Sequence, residues 1–70
     1  MFCTYILQSE KNKSFYIGSS ENLHKRLIQH NKGLVKSTKR FIPWVVAYFE
    51  QFETLREARK RERQIKSWKK

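Results

Sequence analysis

Cysteine, proline and glycine are all scarce here: one, one and two in 70 residues. A single thiol excludes an intramolecular disulfide and any cysteine-built zinc site, so Cys3 reads as a small buried hydrophobe. The two histidines, His24 and His30, are six apart, a spacing that suits neither one helical face nor a zinc motif. Long apolar runs are missing too. The longest, Trp44 to Phe49, covers six residues and is far short of a membrane span. Phe2 to Leu7 is too short for a secretory leader and has no basic flank, so a cytoplasmic protein is expected. Acidic residues number six against sixteen Lys and Arg, for a net charge of +10. That excess points to a polyanion, most simply nucleic acid, because the charge is spread over several segments and not confined to one tail. An anionic membrane surface fits less well, since no segment joins basic residues to a broad leucine or aromatic face.

What is present is organised around Phe15 to His30. Phe15-Tyr16-Ile17-Gly18 reads as a strand, and Gly18 permits a turn or a close approach that a side chain would block. Ser19 and Ser20 are candidate N-caps for a helix that starts near Glu21 and ends at Asn31-Lys32-Gly33, with Gly33 at C′. This helix is expected to bury Leu23, Leu27 and Ile28. Asn22, Arg26 and His30 follow at i, i+4 and i+8, which stacks three polar groups on a neighbouring line. Upstream, Phe2 to Gln8 is apolar on both faces and so suits a central strand, returning through a polar turn as an antiparallel hairpin. Downstream, Leu34 to Pro43 is a basic loop, with Ser37 and Thr38 as neutral donors. Trp44 to Phe49 then reads as a buried strand.

Thr54 and Glu57 form a capping box that opens a helix from Leu55 to about Trp68. Its apolar line is Leu55, Ala58 and Ile65, and Glu62 falls within roughly 20–60° of that line in projection. Arg56, Arg59, Lys60, Arg61, Arg63 and Lys66 take the outward and flanking positions. A carboxylate on the inward stripe costs free energy unless something pairs with it, which makes Glu62 the sharpest anomaly in the chain. The expected fold class is α+β: one domain over residues 1–70, a small three-stranded, mainly antiparallel sheet flanked by helices in the order β-β-α-β-α.

Taken together these pieces resemble the GIY-YIG nuclease family, whose domain also forms the N-terminal incision module of a bacterial excision-repair nuclease. Thr4-Tyr5-Ile6 looks like the first motif and Tyr16-Ile17-Gly18 like the second, eleven residues on. Asn22-Leu23-His24-Lys25-Arg26 looks like the segment ending in the family arginine, and Arg26-x-x-x-His30 matches its spacing to a histidine or tyrosine. Glu62-Arg63-Gln64-Ile65-Lys66 looks like the helix that carries the metal-binding glutamate. The match runs nearly end to end and is closest to the small stand-alone members. Two departures stand out. Thr4 replaces the first glycine, and with the last residue at Lys70 no separate specificity domain is expected.

The resemblance implies cleavage of DNA phosphodiester bonds with one divalent metal, low intrinsic sequence specificity, a role in repair or in processing branched DNA, and a protein partner supplying targeting. Glu62 would hold a single Mg²⁺ or Mn²⁺, with waters and phosphate oxygens completing the shell. Arg26 would meet the extra charge of the pentavalent phosphate. Tyr5 or Tyr16 would orient and deprotonate the attacking water, with Arg26, a lysine or the metal lowering a phenol pKa that is ordinarily about 10. His30 would hold a tyrosine or phosphate, or shuttle a proton. Lys36, Lys39 and Arg40 read as phosphate contacts, or as plain solvated charges. Trp44 and Trp68 read as core and helix-end packing. Each residue has an ordinary alternative as well: sheet-core tyrosines, a solvated arginine or one paired with Glu62, a packing histidine. A nucleic-acid-binding module that keeps the fold without catalysis is the rival reading.

Overall fold

In a computed structural model that describes residues 1–68, the order is β1 (Phe2–Ser9), β2 (Phe15–Ser20), α1 (Leu23–Asn31), a 3-10 turn (Lys39–Phe41), β3 (Trp44–Phe52) and α2 (Leu55–Trp68). The strands pair antiparallel in the order β2-β1-β3, which puts β1 in the centre as its two apolar faces require. The register sets Thr4 opposite Ser19 and Tyr5 opposite Gly18 on one side. On the other, Ile6 faces Tyr48 while Leu7 faces Val46, so Ala47 is an extra residue that bulges β3.

Alternation along β1 sends Cys3, Tyr5 and Leu7 to one face. There they form the core with Trp44, and Tyr16, Leu23, Leu27, Phe41, Ile42 and Val46 pack around them. Thr4 points the other way, is buried, and donates its hydroxyl to the carbonyl of Ala58. A fully buried alanine at that position lets the α2 backbone come within reach of the sheet. The threonine that replaces the expected glycine is therefore a clamp between β1 and α2. Thr54 accepts from the Glu57 amide, so the N-cap half of the box forms as its residues predict, while the Glu57 carboxylate accepts from the Thr54 hydroxyl. Among the described residues, no helix is long and apolar enough to cross a membrane.

Several local expectations fail for identifiable reasons. The cap of α1 is Asn22, whose side chain accepts from the Lys25 amide, because Ser19 and Ser20 are still in β2. Gly33 does take the positive φ of 78° expected at C′. Ile28 is 41% exposed. At 100° per residue it lies about 140° around the helix from Leu23, whereas His30 lies within about 20° of it and takes the inward place. Trp44 to Phe49 is an edge strand, not a buried one: Val45, Tyr48 and Phe49 are all exposed. A short apolar run cannot report how many neighbours its strand will have. Trp68 packs at the helix end as expected, largely exposed, with the Arg61 guanidinium 4.9 Å above its ring.

Candidate active site at the free edge of the sheet

Gly18 is where the site begins. A Cβ built there would stand 2.7 Å from the Tyr5 Oη, 2.9 Å from its Cζ and 3.1 Å from the Tyr16 ring. The phenol of Tyr5 thus lies across the glycine of the neighbouring strand, in space no other residue leaves open. Its Oη is 3.2 Å from Nε2 of His30, which is fully buried, and His30 Nδ1 is 2.8 Å from the Thr38 Oγ1. Thr38 gives its own hydroxyl proton to the Val35 carbonyl, so it accepts from Nδ1–H. That fixes the tautomer: Nε2 carries the lone pair and accepts from Tyr5. Trp44 locks the far end by donating Nε1–H to the Thr38 carbonyl. The Tyr16 ring packs edge-on against His30 with centroids 5.0 Å apart.

The same burial sets the titration of this line. Desolvation, helped by the Arg26 charge, pushes His30 down to about 4 and keeps it neutral. Desolvation pushes Tyr5 up to about 12, against a hydrogen bond from Arg26 and with further upward pressure from Tyr16 and Glu62. Arg26 lowers the phenol as expected, yet the net shift is upward because burial outweighs its pull.

Glu62 reaches the same edge from the opposite face. Ser19, next to Gly18 in β2, donates Oγ–H to Oε1 at 2.5 Å, and Lys66 holds Oε2 at 2.7 Å. Partial burial alone would raise this carboxyl, but the hydrogen bonds from Lys66 and Ser19 and the charges of Lys66 and Arg59 hold it below the usual range. Arg26, half-buried on α1, bonds Gln29 at 2.9 Å and makes no ion pair with Glu62 among the described residues. Ser19, Ser20, Asn22, Lys25, Arg26 and Gln29 border an open cavity of about 600 Å³. Tyr5, Tyr16, Arg26 and His30 thus gather on the α1 side of Gly18–Ser19, and Glu62 arrives from the α2 side.

Lys36, Lys39 and Arg40 do not join this group. All three are exposed, and their loop is tied to the hairpin turn through Ser9 to the Phe41 carbonyl, Glu10 to the Pro43 carbonyl and Lys11 to the Arg40 carbonyl. Two site residues escape the reading of the sequence. Ser19, expected as a cap, holds the glutamate; its place one residue beyond the glycine, on the opposite face of the strand, is the signal that could have found it. Thr38, expected as a loop donor, orients His30, and nothing in its local sequence announces that.

Among the described residues no three His, Cys, Asp or Glu side chains cluster to cage a metal. A lone carboxylate with one oxygen on a serine suits a hard cation that keeps most of its waters, provided the competing ammonium yields. Lys66 is 55% exposed and can swing away.

The family model described as GIY-YIG catalytic domain matches residues 1–70. UPF0213 protein CPE1444 of Clostridium perfringens is 46% identical over 63 residues, 89% of this chain and 67% of that protein. UPF0213 protein SSP2268 of Staphylococcus saprophyticus is 42% identical over 59 residues, 83% of this chain and 72% of its own length. Structure-specific endonuclease subunit slx1 of Schizosaccharomyces japonicus is 49% identical over 53 residues, 69% of this chain, which spans only 19% of that subunit. No solved structure matches significantly.

Proposed function

The chain belongs to the GIY-YIG family, and from that premise we propose that it is a divalent-metal-dependent endonuclease hydrolysing DNA phosphodiester bonds with low intrinsic sequence specificity. The observation that supports this reading is the meeting of a phenol, a guanidinium and a carboxylate across the free edge at Gly18–Ser19. Relatives named as structure-specific endonuclease subunits favour branched or damaged DNA as substrate and a partner protein for targeting.

Each side chain has a task within this reading. Glu62 holds Mg²⁺ or Mn²⁺, which when bound neutralises phosphate charge and acidifies water. Arg26 lies by the open cavity, where a planar donor pair can take the extra negative charge of the pentavalent phosphate. Tyr5 donates its O–H to His30 Nε2, which turns its oxygen lone pairs toward an attacking water. With its pKa pushed up to about 12 and His30 held neutral, the phenol stays protonated and orients the water, whose acidification falls to the metal. Tyr16 supports the ring of His30.

The non-catalytic binding module draws support from one observation: Ser19 and Lys66 occupy both oxygens of Glu62. Plasmid nicking with Mg²⁺ or Mn²⁺ separates the two. The nuclease reading expects activity in the wild type that is lost in Glu62→Ala. Equal nicking by both proteins marks a contaminant, and an inert wild type leaves the binding module.

A further inference from the structure

Helix α2 carries six cations between Arg56 and Lys66, and two of them are engaged: Arg61 pairs with Glu50 at 3.1 Å and Lys66 with Glu62 at 2.7 Å. Arg56, Arg59, Lys60 and Arg63 have no ion pair with a carboxylate among the described residues, and all four are exposed. Their spacing of i, i+3, i+4 and i+7 makes one stripe, about 10 Å long at 1.5 Å per residue. Like charges so arranged destabilise a helix by a few tenths of a kcal/mol per pair, so the stripe works against the fold that carries it.

We propose that this stripe is the surface that grips the phosphate backbone of duplex DNA. With one phosphate per roughly 3.4 Å of axis on each strand, about 10 Å of stripe faces about three phosphates of a single strand. The four cations, with Leu55, frame an open cavity of about 620 Å³, so they border a recess and not a flat wall. Arg59 and Arg63 also border a second recess together with Glu62 and Lys66. The stripe therefore runs without a break into the carboxylate, and a backbone lying along it is led to the edge at Ser19. Lys36, Lys39 and Arg40, which the sequence favoured, sit on the loop tied to the hairpin turn and do not border either recess. The proposal rests on DNA being the substrate of this site, but not on cleavage.

The test is anisotropy of a labelled 25-base-pair DNA duplex, in EDTA, as a function of salt. The quadruple variant Arg56→Gln, Arg59→Gln, Lys60→Gln, Arg63→Gln is compared with the triple variant Lys36→Gln, Lys39→Gln, Arg40→Gln. At roughly 0.9 of slope per neutralised phosphate, the quadruple variant should lose about 3 from the slope of log K against log salt, and the triple variant at most about 1. Retention of the wild-type slope and affinity by the quadruple variant would overturn the proposal and leave the stripe to an acidic protein partner. If that variant fails to show a helical circular-dichroism signal, Arg56→Gln with Lys60→Gln carries the same test, with about 2 of slope expected to go. A slope loss in the quadruple variant beside a wild type that nicks nothing would keep the surface and sink the nuclease; a wild type that nicks, with no slope loss in the variant, does the reverse.

Discussion

The two faces of the sheet hold their polar groups in opposite ways. On the α1 face, Tyr5, His30, Thr38 and Trp44 are each at most 3% exposed and joined in one hydrogen-bonded line. On the α2 face only Ala58 and Ile65 of the helix are buried, and Glu62 stands partly open among lysine and arginine. The first arrangement costs adaptability and gives geometry: among the described residues every buried side-chain donor and acceptor has a partner, so rotamers and tautomer are fixed before any ligand arrives. The second keeps a charged carboxylate within reach of solvent, where it can change partners at little cost. A hydrolytic site at the junction needs both, one side to aim and the other to exchange. Changes on the α1 face should therefore appear first as lost stability, and changes at Ser19–Glu62 first as lost chemistry.

The largest effect expected is acid sensitivity centred on the α1 face. His30 titrates at about 4 in the fold and near 6.5 in the unfolded chain, so between those values the unfolded state binds the extra proton. Stability from this group is full above pH 6.5 and is lost as the pH falls toward 4, by roughly 3 kcal/mol at most. Urea unfolding across that window should show the loss in the wild type and a flattened profile in His30→Gln. Equal profiles would mean that His30 is not held neutral, and the contrast between the faces would fail on its better-ordered side.

Next comes Gly18→Ala. Alanine normally improves on glycine in a strand by about 0.5–1 kcal/mol, and Gly18 has no positive φ to protect. Here the new methyl would stand 2.7 Å from a phenol oxygen that is itself buried against His30. A net loss of about 1–3 kcal/mol is expected from overpacking, together with a changed alkaline titration of tyrosine absorbance as Tyr5 leaves His30. A stabilised variant would show that the phenol moves aside freely.

How much of this is readable from the sequence follows the same division. The strand order, both helices, Gly33 at C′ and the Thr54–Glu57 box are legible because each depends on local pattern and turn chemistry. The inward place of Glu62 is legible because helical periodicity carries it, and Gly18 as a point of close approach because little else justifies a glycine in a strand. What escapes depends on contacts across the fold. His30 displaces Ile28 from the inner line, and only the partnership with Tyr5 and Thr38 makes that burial tolerable. The exposure of β3 follows from its having one neighbour, which no six-residue window contains. The direction of the phenol pKa escapes because a guanidinium shows in the sequence, whereas the desolvation that outweighs it is a property of the packed core.

The smallest stability change is the one that bears hardest on the α2 side. Ser19→Ala removes the donor on Glu62 Oε1 and leaves the carboxylate to Lys66 alone. Ser19 is only partly buried, and a lost hydrogen bond of this kind costs on the order of 1 kcal/mol, so the melting profile should barely move. The chemistry should move. One of the two hydrogen bonds that hold the carboxyl below its usual range is gone, so its pKa rises and the acid limb of nicking shifts to higher pH. Activity at neutral pH should fall about tenfold, as a side chain no longer fixed beside Gly18 spends less time aimed at the edge. If instead stability drops by several kcal/mol while the acid limb stays in place, Ser19 is a packing residue. The α2 side would then be as tightly built as the other face, and the division of labour across the sheet would have to be abandoned.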